Sequence, residues 1–195
     1  MEEELRFELR PDLHRGARGR GGVVAHFGEV TVEVKRRKGI GPSSGSHWEV
    51  RLHGDRFPDV VYRTVGPAQA TLRNSRLHVD GQAVGMKFNN KGLSSAARAL
   101  HLEHEERSYT YRRTELSRGA TLIRPGASIT TTREKSTTGK GMSTFGVATG
   151  KYDATDLALV IAFDSIDTSE LTTSGAVSGT VNRILFPRSN QPPAE

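Results

Sequence analysis

Clusters of basic side chains are the residues of this chain whose type and spacing suit the binding of an anion. Four adjacent cations, Lys35, Arg36, Arg37 and Lys38, end a predicted strand and precede a glycine-rich turn. Such a cluster can hold a phosphate, a lipid head group or an acidic protein surface. Charge on an edge strand also protects a sheet against aggregation, and the two interpretations have similar weight. The glycine-rich turn slightly favours a ligand-binding loop.

A second basic group consists of Arg15, Arg18 and Arg20, which are separated by glycine and alanine. A flexible basic loop can follow phosphates along a nucleic acid or a membrane surface. No aromatic residue is interleaved to stack on a base, so a solvated loop is the favoured interpretation. The candidate ligand-binding residues are therefore Lys35, Arg36, Arg37, Lys38, Arg15, Arg18 and Arg20.

Catalytic and metal-binding patterns are missing from the sequence. The chain has no cysteine, which excludes disulfides, thiolate catalysis and cysteine zinc sites. His101 and His104 are three residues apart on a predicted strand, so they should point to opposite faces. The sequence contains no P-loop, dinucleotide fingerprint or nucleophile elbow. We therefore predict no catalytic residue, no metal site, no cofactor and no enzymatic activity, with a hydrolase as the last alternative.

Residues 157–163 form the longest apolar run of the chain. Wound as a helix, the run is apolar in every direction, so it must be enclosed by protein or lie in a membrane. It is far shorter than the roughly 20 residues that span a bilayer. We therefore predict an enclosed helix at about residues 155–168, with Asp153, Thr155 and Asp156 at its N-terminus. Asp164 near its other end opposes the helix dipole.

The rest of the chain alternates between polar and apolar residues. Val30, Val32 and Val34 form the clearest inward-facing set, and Asp80-Gly81 is a tight-turn signal. About ten to twelve short strands at regular spacing indicate a barrel or a sandwich. We predict a mainly β fold, an antiparallel barrel of 10–12 strands enclosing the helix; the alternative is a β-sandwich with one packed helix. Residues 1–170 should form this domain, and residues 171–195 a partly disordered extension.

Net charge and the N-terminal residues indicate which partners and which location the protein could have. The 195 residues carry a formal net charge of +6, which permits contact with nucleic acid or an anionic membrane without demonstrating it. The N-terminus is acidic and lacks an apolar stretch, so we expect no secretory signal and no membrane anchor. The predicted location is the cytoplasm, and this prediction includes peripheral association with a membrane as an option.

The order of many strands followed by one apolar helix resembles the tubby-like superfamily, which includes the phospholipid-scramblase-like and LURP-one-related groups. The resemblance is carried by residues 108–112, 119–129 and 153–161, and extends over residues 5–168. It implies a closed β-barrel around a buried helix, and a protein that binds phosphoinositides or acts at membranes. Because no cysteine-rich segment or terminal membrane helix is present, the resemblance does not extend to scramblase activity. No phosphoinositide-contacting residue can be carried over.

Three functions remain open at this stage. The leading one is a non-enzymatic binding or scaffold domain whose basic loops recognise an anionic ligand, a lipid head group or an acidic partner. The first alternative is a structural subunit that docks into a larger assembly through residues 1–22 and 171–195. The second alternative is a nucleic-acid-binding protein, whose affinity would fall steeply with salt. The oligomeric state has no signature in the sequence.

The enclosed helix generates the first testable prediction. Replacing Ile161 by Asp would place a charge in an apolar interior, where no partner can reach it. The penalty should be comparable to the net stability of a domain, about 5–15 kcal/mol. We expect Ile161→Asp to abolish the cooperative thermal transition measured by circular dichroism. A folded variant with a near-normal transition would contradict enclosure of the helix.

Overall fold

The structure, a computed structural model, describes residues 4–12, 18–37, 47–65, 71–72, 74–88, 98–114, 118–135 and 141–172. Within these residues the chain forms twelve β-strands and one α-helix. Residues 173–195 of the predicted extension (171–195), Arg15 and Lys38 lie outside them, whereas Leu171 and Thr172 are described and buried. The elements are β1 (Leu5–Asp12), β2 (Arg18–Val23), β3 (Glu29–Arg37), β4 (His47–Gly54), β5 (Phe57–Val65), β6 (Ser75–Val79), β7 (Gln82–Phe88), β8 (Leu100–His104), β9 (Arg107–Arg113), β10 (Gly119–Arg124), β11 (Ala127–Lys135), β12 (Met142–Gly150) and α1 (Ala154–Asp164).

The twelve strands form a closed barrel in which each strand pairs antiparallel with its neighbours in the chain. Strand β1 closes the cylinder because its first half pairs with β12, from Leu5 opposite Ala148 to Leu9 opposite Thr144. Its second half pairs with β2. The predicted antiparallel barrel is thereby confirmed, and the sandwich alternative is wrong. Closure leaves no strand edge exposed along the barrel.

Helix α1 fills the inside of the barrel. About eight strands enclose an interior that side chains alone can fill, so a barrel of twelve needs additional material. All residues from Asp156 to Asp164 are buried, and the helix packs against β4, β5, β10 and β11. The prediction that the helix is surrounded by protein on every side is confirmed. The apolar run is thus the core of the barrel.

Aromatic side chains of two strands pack against the helix near its C-terminus. The ring of Phe163 lies 5.0 Å from that of Tyr111 on β9 and 6.1 Å from that of Tyr62 on β5, measured between centroids. Near the closing strand pair, Phe7 lies over Gly146, where an added Cβ would come within 2.0 Å of the ring. Gly146 therefore makes room for an aromatic side chain at the junction of β1 and β12.

The N-terminus of α1 is fixed by two carboxylates and two arginines. Asp153 and Asp156 form a capping box, in which each side chain accepts a hydrogen bond from the other residue's backbone N–H. Arg124 donates two hydrogen bonds to Asp156, at 2.8 and 2.7 Å, and Arg107 donates to Asp153. The predicted capping by Asp153 and Asp156 is confirmed, and strands β9 and β10 hold the cap in place.

Cations from the barrel surround Asp164, the acid that opposes the helix dipole at the C-terminus of α1. The helix ends at Asp164, four residues earlier than expected, because Ser165 forms the C-cap. Arg133 lies 3.0 Å from the Asp164 carboxylate and also donates to its backbone carbonyl. Arg20 lies 3.6 Å from the carboxylate, and Thr144 donates to it. These contacts compensate the dipole with cations from β2 and β11.

The two ends of the barrel differ. At one end, which we call the turn end, tight turns join β4–β5, β6–β7, β8–β9 and β10–β11. Asp80 and Gly81 both have positive φ, as do Glu105 and Glu106, which is the geometry of type I′ hairpin turns. At the opposite end, which we call the loop end, the connections are longer and residues 13–17, 38–46 and 89–97 lie outside the described part. The C-terminus of α1 points to the loop end.

The ion pair at the C-terminus of α1 generates the second prediction. Removing Arg133 leaves the carboxylate of Asp164, whose side chain is 3% exposed, with fewer compensating charges. We expect Arg133→Ala to lower the free energy of unfolding by on the order of 3 kcal/mol in urea titrations. The matched control is Arg6→Ala, which breaks the solvent-exposed pair between Arg6 and Glu4 and should have no measurable effect. Equal effects of the two substitutions would contradict a stabilising role of the ion pair between Arg133 and Asp164.

Candidate anion-binding wall

The two predicted basic segments end side by side at the loop end. Lys35, Arg36 and Arg37 are the last three residues of β3, and Arg18 is the first residue of β2. Strands β2 and β3 pair so that Arg18 lies opposite Val34. The fold therefore brings together two segments that are about fifteen residues apart in the sequence. Lys38 and Arg15, the outermost members of each segment, follow in the connections outside the described residues.

Arg20 has a different position from the other candidates. Its guanidinium points into the barrel, where it donates at 2.8 Å to Thr144 Oγ1 and at 2.8 Å to the carbonyl of Met142. Burial lowers its pKa, and the neighbouring Asp164 carboxylate partly compensates. Its charge is therefore used to hold the helix. Arg20 belongs to the interior of the barrel and contributes no cation to the outer surface.

The outer surface of β3 to β6 carries a group of cations that we call the basic wall. These side chains alternate with buried residues, so they point outward. Pairing places Lys35 opposite Glu49, Glu49 opposite Arg63, and Arg63 opposite Arg76, in one row across four strands. Neighbouring strands are about 4.8 Å apart, so the row extends over roughly 14 Å. The members of the basic wall are Lys35, Arg37, Arg51, Arg63 and Arg76.

Glu49 organises the centre of this wall. Arg37 donates to its Oε1 from Nη2 at 3.0 Å, and Arg63 donates to its Oε2 from Nε at 2.8 Å. The side chain of Glu49 is 5% exposed, whereas those of Arg37 and Arg63 are 52% and 55% exposed. Burial acts to raise the pKa of Glu49, but the hydrogen bonds from Arg63 and Arg37 outweigh it and hold that pKa below its ordinary value. The carboxylate fixes both arginines while leaving donors directed to solvent.

Arg63 and Arg76 form a like-charge pair on neighbouring strands. They lie directly opposite each other on β5 and β6, an arrangement that destabilises a sheet. Arg76 is exposed, and it has no ion pair or hydrogen bond among the described residues. An anion placed between the two guanidinium groups would remove the repulsion. The pair is therefore the part of the wall most suited to a phosphate or a carboxylate.

Arg36 and Lys35 complete the set of predicted residues. Lys35 pairs with Glu33 on the same strand, and its hydrogen bond lowers the pKa of that carboxyl. Arg36 lies on the inward-facing side of β3 opposite Trp48, and is exposed at the loop end. The run of four cations is thus divided between the two faces of the strand. Among its described members, Lys35 and Arg37 contribute to the wall.

Neither a metal-binding cluster nor a membrane-spanning helix occurs in the part of the chain that the structure describes. No group of three or more His, Asp or Glu side chains there could hold a metal ion. His101 is exposed and His104 is buried, as expected for opposite faces of a strand. No described helix has the length and apolar character needed to cross a bilayer. The large apolar side chains exposed there, Val23, Ile123 and Met142, lie outside the wall.

The sequence alone does not single out Arg51, Arg63 and Arg76, or the buried Glu49. Each is a single charge within an alternating strand, where it has the same pattern as any solvent-facing residue. A signal was available in the hairpin formed by β4 and β5. Counting residues back from the β4–β5 turn on both strands places Glu49 opposite Arg63. The pairing of β5 with β6 then places Arg76 opposite Arg63.

Comparisons with known proteins find no relative: no protein-family model, no curated protein and no solved structure matches the chain.

The Glu49 cluster generates the third prediction. Replacing Glu49 by Gln removes the shared charge between Arg37 and Arg63 and should lower the free energy of unfolding by about 1–2 kcal/mol at neutral pH. Because the pKa of Glu49 is lower in the folded protein, its contribution is complete above its ordinary value of 4.5 and decreases as the pH falls through the folded value. The difference between the wild type and Glu49→Gln should therefore disappear in acid. A pH-independent difference in urea titrations would contradict the ion-pair origin.

Proposed function

We propose that this protein is a non-enzymatic binding domain that places its basic wall against an anionic membrane surface. The single observation that supports this is the position of Arg76, which has no ion pair within the described part of the chain and lies opposite Arg63, in a row with Lys35. Cations near an anionic leaflet each contribute about 1 kcal/mol to membrane association. The enzymatic alternatives have no support among the described residues, where no metal-binding cluster occurs.

The chemistry of the wall favours lipid head groups over nucleic acid. Single-stranded nucleic acids need aromatic side chains on which bases stack, and the wall contains none. Duplex DNA is read by a helix or a ribbon that enters the major groove, whereas the wall is a smooth sheet surface. A layer of head groups requires only a set of cations on one face. Binding of nucleic acid remains an outcome that the experiment must measure.

The fourth prediction tests the wall directly. The wall variant Lys35→Gln/Arg63→Gln/Arg76→Gln removes three exposed cations from adjacent strands. At about 1 kcal/mol for each cation, its partition coefficient onto phosphatidylcholine vesicles with 20–30% phosphatidylserine should fall roughly 100-fold. Its dependence on salt should also become weaker. Sedimentation of vesicles with bound protein gives the partition coefficient.

The matched control removes three exposed cations from the other side of the barrel, in Arg6→Gln/Arg112→Gln/Lys135→Gln. Both variants have the same net charge, so a general electrostatic effect would change them equally. We expect the control to lose less than about threefold in partitioning, because those cations do not lie together. Equal losses, or no binding by the wild type at low salt, would overturn the proposal. Stronger binding to a short DNA duplex than to vesicles would favour the nucleic-acid alternative instead.

We also infer kinship with the tubby-like superfamily. The closed antiparallel barrel around a buried helix near residue 160 supports this inference, because it is the architecture that the resemblance implies. The capping segment at Asp153 and Asp156, which carried part of the resemblance, also holds the helix in the barrel. A sequence profile built from homologues of this chain provides the test. Failure of that profile to align residues 153–161 with the superfamily's helix would remove the inference.

A further inference from the structure

A polar hollow lies on the outside of the barrel at the turn end, next to the basic wall. Its volume is about 380 Å³, and its lining comes from the start of β7 and from the β8–β9 hairpin. Three carboxylates surround it, those of Glu103, Glu105 and Glu106. Lys87 approaches Glu103 at 3.4 Å, and Glu106 has no ion pair among the described residues. The hollow therefore carries excess negative charge, in contrast to the wall.

His104 contributes a buried imidazole to the lining of the hollow. Its side chain is 3% exposed and lines the hollow. The nearest carboxylate oxygen, Oε1 of Glu105, lies 4.0 Å from its Nε2, too far for a hydrogen bond. A guanidinium bound between the imidazole and the carboxylate has several N–H donors to offer to both groups.

Arg107 is the cation within the hollow, and it is already neutralised. It donates to Asp153 at the N-terminus of α1, and this bond raises its pKa. Ser108 and Gln82 add side-chain acceptors to the lining. The hollow thus combines carboxylates, neutral acceptors and a neutralised arginine, which suits a cationic side chain of a partner protein.

We propose that the hollow receives arginine side chains from the basic wall of a second copy of this chain, so that two copies form a symmetric dimer. The charges are complementary: Arg76, which has no ion pair among the described residues, lies opposite Arg63 on the wall, and the carboxylates of Glu105 and Glu106 surround the hollow. Carboxylates of the second copy would relieve the repulsion within that arginine pair. A protein with net charge +6 associates with itself most readily where one surface is acidic.

The positions of the two surfaces favour a closed dimer over a filament. The wall ends at β6 and the hollow begins at β7, the next strand around the barrel. A two-fold axis between them would place each wall on the partner's hollow, so that both contacts form at once. Membrane binding and dimerisation would then use the same wall and compete. The inference uses the exposed wall and does not require that membranes be its ligand.

The fifth prediction concerns self-association of the full chain. Light scattering after size exclusion, over roughly a hundredfold range of protein concentration, should show a monomer–dimer equilibrium that weakens with salt. The reversal variants are Arg63→Glu/Arg76→Glu in the wall and Glu105→Lys/Glu106→Lys in the hollow. Each alone should weaken dimerisation at least tenfold, because like charges then meet. An equimolar mixture of the two should restore a heterodimer, in which both contacts are attractive.

Control variants with the same charge change carry the substitutions on other strands, in Arg6→Glu/Arg112→Glu and Glu4→Lys/Glu134→Lys. These should dimerise like the wild type, and circular dichroism should show that all variants are folded. A wild type that stays monomeric at low salt, or a mixture that fails to associate, would overturn the dimer. The hollow variant should retain vesicle binding, so loss of the dimer with intact vesicle binding leaves the proposed function standing.

Discussion

The space inside a barrel of twelve strands is the constraint on which this structure depends. Side chains alone fill smaller cylinders, so a wider one needs material of its own inside. Helix α1 provides it, with apolar side chains from residue 157 to residue 163 that have no polar face to present to water. Residues of the strands in turn point alternately inward and outward, because one side of each strand faces the interior that this helix occupies. The outward positions are thereby left available for charge.

A helix that is apolar on all sides has no preferred face, so packing alone does not define its rotation within the cylinder. Charged groups at its two ends fix the rotation of the helix. Arg124 and Arg107 bind the capping carboxylates at the turn end, and Arg133 and Arg20 bind Asp164 toward the loop end. Ion pairs of this kind contribute less to stability than to fixing one arrangement among several similar ones. The acids that flank the apolar run therefore determine how the helix is placed.

The fold was largely predictable from the sequence, because the patterns typical of strands and of an enclosed helix are both clear. Alternation gave the strands, and the run at residues 157–163 gave the enclosed helix. The helix ends four residues before its predicted end, at Asp164, and the sequence does not indicate the partners of that acid because Arg133 and Arg20 are distant along the chain. The candidate site was predictable only where cations are adjacent in the chain, at Lys35 and Arg37. Arg63 and Arg76 become neighbours through strand pairing, which single-strand patterns do not specify.

The order of elements along the chain has a consequence for biosynthesis. Strand β1 is synthesised before the other eleven described strands, yet one of its two partners is β12, which is synthesised after them. Helix α1 follows β12, so a cylinder that sealed before the helix arrived would exclude it. Sealing the seam between Phe7 and Gly146 and seating the helix must therefore be coupled, late events. Such distant pairings make folding slow, and they leave a long period in which a nascent chain with an open seam could be recognised by chaperones.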